Sequence, residues 1–198
     1  LLAVLPEGRV SLEPQAAGFR RMFPAGWPEP ALWIPAVRVH DGRRVVFGRP
    51  GAPPADVGSA IIASGAVPLL CRPVCIPDHR YVDGGFRSLT SLDLLGGEGL
   101  DLVIVSSPMT CDRNDDLHGP SGRIRAMLRR GLEREAARVR QAGTPVLLFQ
   151  PTPVEAASVG LHFMDTKRMT TVVRDVCRRV RDETADLHPH HPLRRLRR

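Results

Sequence analysis

Lysine is almost missing from this chain. Of its 28 cationic residues only Lys167 is a lysine; the others are arginines. Beside abundant Ala, Gly and Pro, that skew points to a GC-rich coding bias. Aromatic residues make up only 5% of the chain and are not interleaved with its basic stretches. An interface that stacks bases needs such interleaving, so no nucleic-acid partner is expected despite the formal charge of +7. Four of the positive charges stand in the last five residues, Arg194-Arg195-Leu196-Arg197-Arg198, which read as a solvated end. The apolar run Ser59 to Cys71 is too short for a bilayer span and holds Ser64 and Gly65. No charged segment followed by an apolar one, as in a secretory leader, opens the chain. The four cysteines, Cys71, Cys75, Cys111 and Cys177, include a C-x3-C but no C-x2-C pair. They read as isolated buried thiols in a reducing compartment, with neither a metal site nor a disulfide framework. Gly-x-Ser-x-Gly, the usual setting of an exposed nucleophilic serine, occurs nowhere.

Strand and helix signals fill most of the chain. Residues 6–30 carry five prolines and three glycines and read as a long surface connection. Leu32 to Val39 and Arg43 to Phe47 form an expected hairpin around Asp41-Gly42, with Pro35 an awkward strand residue. Asp56 is the expected N-cap of a short helix, Val57 to Ala63, ended by Gly65 and Pro68. Pro73 to Ile76 and Arg80 to Val82 read as short strands about Pro77-Asp78-His79. Leu102 to Val105 and Val146 to Phe149 read as buried strands. Between them, Arg123 to Gln141 has helical spacing, with Ile124, Met127, Leu128, Leu132, Ala136 and Val139 on one side. Thr170 to Thr184 reads as a last amphipathic helix. This order predicts an α/β fold, a layered, mainly parallel sheet flanked by helices. Residues 1–187 would form the domain, and 188–198 a basic His/Arg-rich tail. Leu1 is no initiator methionine, so the chain is expected to begin inside a larger fold.

One constellation stands out. Tyr81-Val82-Asp83-Gly84-Gly85 ends an apolar stretch with a carboxylate followed at once by two glycines. Glycines there let backbone pack closely and leave the carboxylate uncovered. Taken alone, Asp-Gly is a common turn. Its surroundings carry more information: a short helix, the corner Ala63-Ser64-Gly65-Ala66-Val67-Pro68, then a two-strand excursion ending in Arg80-Tyr81-Val82-Asp83-Gly84-Gly85.

This order resembles the distal half of the patatin-like phospholipase family, where Ala-Ser-x-Ala-[Ile/Val]-Pro precedes Arg-Tyr-[Val/Leu]-Asp-Gly-Gly/Ala. The resemblance covers Trp33 to Ser107 and extends more loosely to Phe149. It implies an incomplete patatin-like domain from a serine acyl hydrolase of lipid esters that works by a Ser-Asp dyad without cofactor or metal. Asp83 falls on the proton acceptor, within the motif Asp83, Gly84 and Gly85. No nucleophile is carried over, because the elbow and the Gly-rich oxyanion loop are absent. Leu69 departs from the glycine common after the family's Val-Pro; with Leu70 and Val74 it would wall the acyl cleft.

Other serines do not replace the missing one. Ser59 lies between the β-branched Val57 and Ile61, and Ser64 matches a structural position whose hydroxyl is expected to bond backbone at a helix end. Asp115, Asp116, His118 and Ser121 have triad residue types, but Gly119 to Gly122 read as turn and N-cap. The histidines at 188, 190 and 191 read as solvated tail. Alone, the chain is expected to be inactive. A truncated non-catalytic module that binds lipid or a partner is the alternative, and an arginine-rich nucleic-acid binder a weaker third. Expected partners are a lipid or other ester and, through the tail, an anionic membrane surface. A cytoplasmic or peripheral membrane location fits, and the oligomeric state stays open.

Overall fold

The computed structural model describes residues 6–29, 31–112, 119–159 and 166–185. Asp115, Asp116, His118 and the tail 188–198 lie outside them. The chain is mixed α/β and divides into two compact units, Leu1–Ser91 and Leu92–Arg198.

The first unit is built on a four-stranded antiparallel sheet of order β2-β1-β4-β3. Its strands are β1 (Ile34–Arg38), β2 (Arg44–Phe47), β3 (Val74–Ile76) and β4 (His79–Asp83). The β1–β2 hairpin closes at Asp41-Gly42 as expected: Gly42 has φ +68°, which favours glycine, and the Asp41 carboxylate accepts the Arg43 N–H at 3.1 Å. Helix α2 (Val57–Ser64) packs on this sheet, and α1 (Glu13–Met22) packs on α2. Their shared core includes Ala16, Phe47, Ala60, Ile62, Ala63 and Tyr81. Phe47 and Tyr81 meet edge to face, 5.1 Å between ring centres.

Pro35 sits inside β1, the placement the sequence made awkward. Arg38 N–H donates to Arg43 and Val39 N–H to Arg80, so odd-numbered residues of β1 face β4. Pro35, lacking an N–H, therefore faces the place where β4 ends: Ala36 opposes Asp83, and the chain leaves the sheet at Gly84. No ladder bond is lost there.

Helix α1 corrects the expectation of a featureless connection over 6–30. Pro14 stands in its first turn, Arg20 and Arg21 in its last, and Leu12, Ala16, Phe19 and Phe23 face the core. That apolar spacing was legible; the prolines around it concealed it. Asp56 caps α2 as expected, accepting the Ser59 N–H at 3.0 Å and binding Arg20 at 2.8 Å. Asp56→Ala is expected to cost about 1 kcal/mol, measured as a fall in the urea midpoint with unchanged slope.

The second unit holds β5 (Val103–Ser106) and β6 (Val146–Phe149), paired in parallel from Val103–Val146 to Ser106–Phe149. Helix α3 (Gly119–Gln141) connects them, and α4 (Pro153–Val159) and α5 (Thr166–Ala185) follow. Among the described residues the larger sheet is thus antiparallel and the parallel one has two strands. The short hairpin links at Asp41-Gly42 and Pro77-Asp78 dictate antiparallel pairing, because only a long crossover can make neighbours parallel.

Three expectations about this unit are corrected. Helix α3 starts at Gly119 rather than Arg123, because Pro120 is tolerated in a first turn. Its inward face carries Gly122, Arg125, Leu132, Ala136 and Val139, leaving Ile124 and Met127 exposed. Arg125 is buried because its guanidinium donates to the carbonyls of Pro108 at 3.1 Å and Thr110 at 3.0 Å. Finally, β5 is not covered on both faces: Val103 and Val105 are buried while Ile104 is 50% exposed. Two strands packed on α3 bury one face only.

Candidate active-site carboxylate

Asp83 is the last residue of β4, and Gly84–Phe86 follow it as a short 3₁₀ turn. Three contacts define its position. Its N–H donates to the Ala66 carbonyl at 2.9 Å, tying it to the corner after α2. Its Oδ1 accepts the Gly85 N–H at 2.7 Å. Its backbone opposes Ala36 across the sheet. The corner Ala63 to Pro68 and the Asp-Gly-Gly motif therefore meet in space, joined by a backbone hydrogen bond.

Both glycines are explained by close approach, since neither has a positive φ. A Cβ on Gly84 would overlap the Pro35 carbonyl. A Cβ on Gly85 would stand 3.0 Å from Asp83 Oδ1 and 3.6 Å from the Leu89 side chain. A side chain at either position would displace the strand end or crowd the carboxylate.

The carboxylate is half-buried and forms no ion pair among the described residues. Burial pushes its pKa above the ordinary carboxylate value, and the hydrogen bond from Gly85 only partly offsets this. Asp83 is thus a better base than a solvated aspartate.

Asp56 and Ser59 offer an instructive contrast. Ser59 Oγ donates to Asp56 Oδ2 at 2.6 Å, dyad-like by distance alone. Burial would raise the Asp56 pKa, but hydrogen bonds from Arg20 and Ser59 outweigh it and hold the carboxyl well below its usual range. Arg20 also donates to Ser59 Oγ at 3.0 Å. A carboxylate so stabilised is a poor base, and the hydroxyl is committed to a helix cap.

The remaining candidates disperse. The Ser64 hydroxyl, expected to bond backbone, makes no hydrogen bond among the described residues; it is partly exposed and can be solvated. Ser121 lies in the first turn of α3. Cys71 and Cys111 are buried, as expected, but Cys75 and Cys177 are exposed, because Cys75 faces outward on β3 and Cys177 outward on α5. Val74 is buried in the core and cannot line a cleft, whereas Leu69 and Leu70 are exposed. Among the described residues no group of three His, Cys, Asp or Glu side chains gathers to hold a metal, and no helix is long and apolar enough to cross a membrane.

Leu69 is the residue whose importance the sequence only hinted at. It is the third residue of the turn Val67 to Leu70, closed by Leu70 N–H donating to the Val67 carbonyl at 3.2 Å, and it has φ +70°. Proline second and positive φ third is a turn made for glycine in the third place. A leucine there costs about 1–2 kcal/mol. Its side chain, 60% exposed, recovers little of that by packing.

The chain matches no protein-family model, and no curated protein matches it.

Proposed function

We propose that this chain is the carboxylate-bearing part of a patatin-like serine acyl hydrolase, with Asp83 as proton acceptor for a serine that the 198 residues do not contain. The observation that carries this reading is the state of Asp83. It is a half-buried, unpaired carboxylate of raised pKa, kept uncovered by two glycines and hydrogen-bonded to the corner that accompanies it in the motif.

The chemistry asked of it is specific. A serine hydroxyl attacks the ester carbonyl and its proton passes to Asp83, giving a tetrahedral oxyanion. Backbone N–H groups stabilise that charge and supply most of the driving force. Collapse expels the alcohol, which takes the proton from Asp83; water then repeats the sequence on the acyl-enzyme. Asp83 contributes the base, and its pKa decides how readily it accepts the proton.

The test begins with the reading frame upstream of Leu1. A Gly-x-Ser-x-Gly after an apolar strand, with a Gly-rich loop before it, is the expected result. A start codon at Leu1 with no elbow would leave a non-catalytic module, with Asp83 reduced to a turn residue.

A further inference from the structure

We infer that the first unit carries a membrane-docking surface, formed by the turn Val67–Leu70 with the adjoining segments 9–10 and 86–89, and that its partner is an anionic lipid surface.

The exposed apolar side chains are concentrated there. Among the described residues, the large exposed apolar side chains of this unit are Val10, Met22, Val67, Leu69, Leu70, Phe86 and Leu89. All but Met22 lie on these three segments. Backbone hydrogen bonds join segment 9–10 to the turn, with Val10 N–H donating to Leu70 at 3.1 Å and Arg72 N–H to Val10 at 2.8 Å. Asp83 N–H donates to Ala66 at 2.9 Å, which ties the strand end leading into 86–89 to the corner just before the turn. Isolated surface leucines need no explanation, but a cluster on adjoining segments does.

The backbone adds an independent reason. Leu69 holds a conformation that favours glycine and projects 60% of its surface into solvent. Neither the fold nor the turn gains from leucine at this position. A side chain kept there against conformational cost, and left uncovered, is suited to enter another apolar phase.

Charge selects the partner. Arg9, Arg72 and Arg87 stand on the same segments, are exposed, and form no ion pair among the described residues. Residues 8–11, 66–72 and 84–90 contain no Asp or Glu. Aliphatic and aromatic side chains interspersed with unpaired arginines match a bilayer interface with anionic headgroups. This surface would serve a non-catalytic module equally, so it does not rest on the hydrolase reading.

The experiment measures partition of the 198-residue chain onto phosphatidylcholine vesicles with and without phosphatidylglycerol, beside thermal melting. The basic tail is present in every variant, so its attraction cancels in each comparison with the wild-type chain. Leu69→Gly is expected to lower partition roughly tenfold while raising the melting temperature by roughly 2–4 °C. Leu70→Ser and Phe86→Ser, at positions without positive φ, should each weaken partition with little change in melting. Replacing Arg9, Arg72 and Arg87 by Gln should reduce binding to the anionic vesicles roughly fivefold per charge and leave neutral vesicles unaffected. Variants that keep their fold and partition like the wild type overturn the inference. So does a wild-type chain that ignores vesicles but self-associates, if Leu69→Gly makes it monomeric, since a second copy would then be the occupant.

Discussion

Asp83→Asn, placed in a polypeptide that carries both this chain and the serine elbow, is expected to lower kcat for ester hydrolysis about 10³-fold with KM little changed. Asparagine retains the Oδ1 that accepts the Gly85 N–H, so the 2.7 Å bond and the local fold survive. Only the capacity to accept a proton is removed. The pH dependence offers a second readout. Burial raises the Asp83 pKa, so the acid limb of kcat/KM should lie above the ordinary carboxylate value of about 3.9.

Stability should move in the opposite direction from activity. With a folded-state pKa above its unfolded value, Asp83 favours folding fully below the unfolded pKa. That contribution is lost as pH rises through the folded pKa. At neutral pH the half-buried charge is a net cost. Asp83→Asn should therefore melt higher than the wild-type chain at pH 7, and the gain should vanish as pH falls below the unfolded-state value of about 3.9. A variant that melts lower at pH 7 while retaining hydrolysis would reduce Asp83 to a turn residue.

Gly84→Ala should have the largest effect on stability, about 3–5 kcal/mol. The added methyl would overlap the Pro35 carbonyl at the end of β4. Proline restricts β1 at that point, and Ala36 is already paired with Asp83, so neither strand can yield cheaply. Folded domains rarely exceed about 5–15 kcal/mol in total stability, so this single methyl removes a large share of it. Gly85→Ala should behave differently. Its methyl would stand 3.0 Å from Asp83 Oδ1, so it should alter the carboxylate's surroundings more than the fold. Urea unfolding of the two variants side by side checks the contrast; equal, small losses would mean that Pro35 and Gly84 do not constrain one another.

Much of the first unit was legible residue by residue. Asp41-Gly42 and the Asp56 cap each place a particular side chain against nearby backbone, and the two-residue link Pro77-Asp78 is short enough to fix an antiparallel pair; all of that is local. Helix α1 was missed although Leu12, Ala16, Phe19 and Phe23 spelled its inward face, because prolines at positions 6, 24, 28 and 30 surround a proline that begins a helix. The inward face of α3 was misjudged for another reason. Hydropathy ranks Ile124 and Met127 as core residues and Arg125 as surface, yet two carbonyls from Pro108 and Thr110 satisfy the buried guanidinium.

The sequence by itself determined the carboxylate, the two glycines after it and the small-residue corner upstream, together with the absence of a serine elbow among these residues. Those are matters of residue type and order. Only the tertiary structure decided which carboxylate is a free base. Asp56 and Asp83 are the same side chain, but Arg20, distant in sequence, neutralises the first, while burial without a cation raises the second. It also decided that Leu69 holds a glycine's conformation in the open and that Val74 turns into the core. Burial, pairing and strain come from groups that the chain brings together from far apart, and no local pattern encodes them.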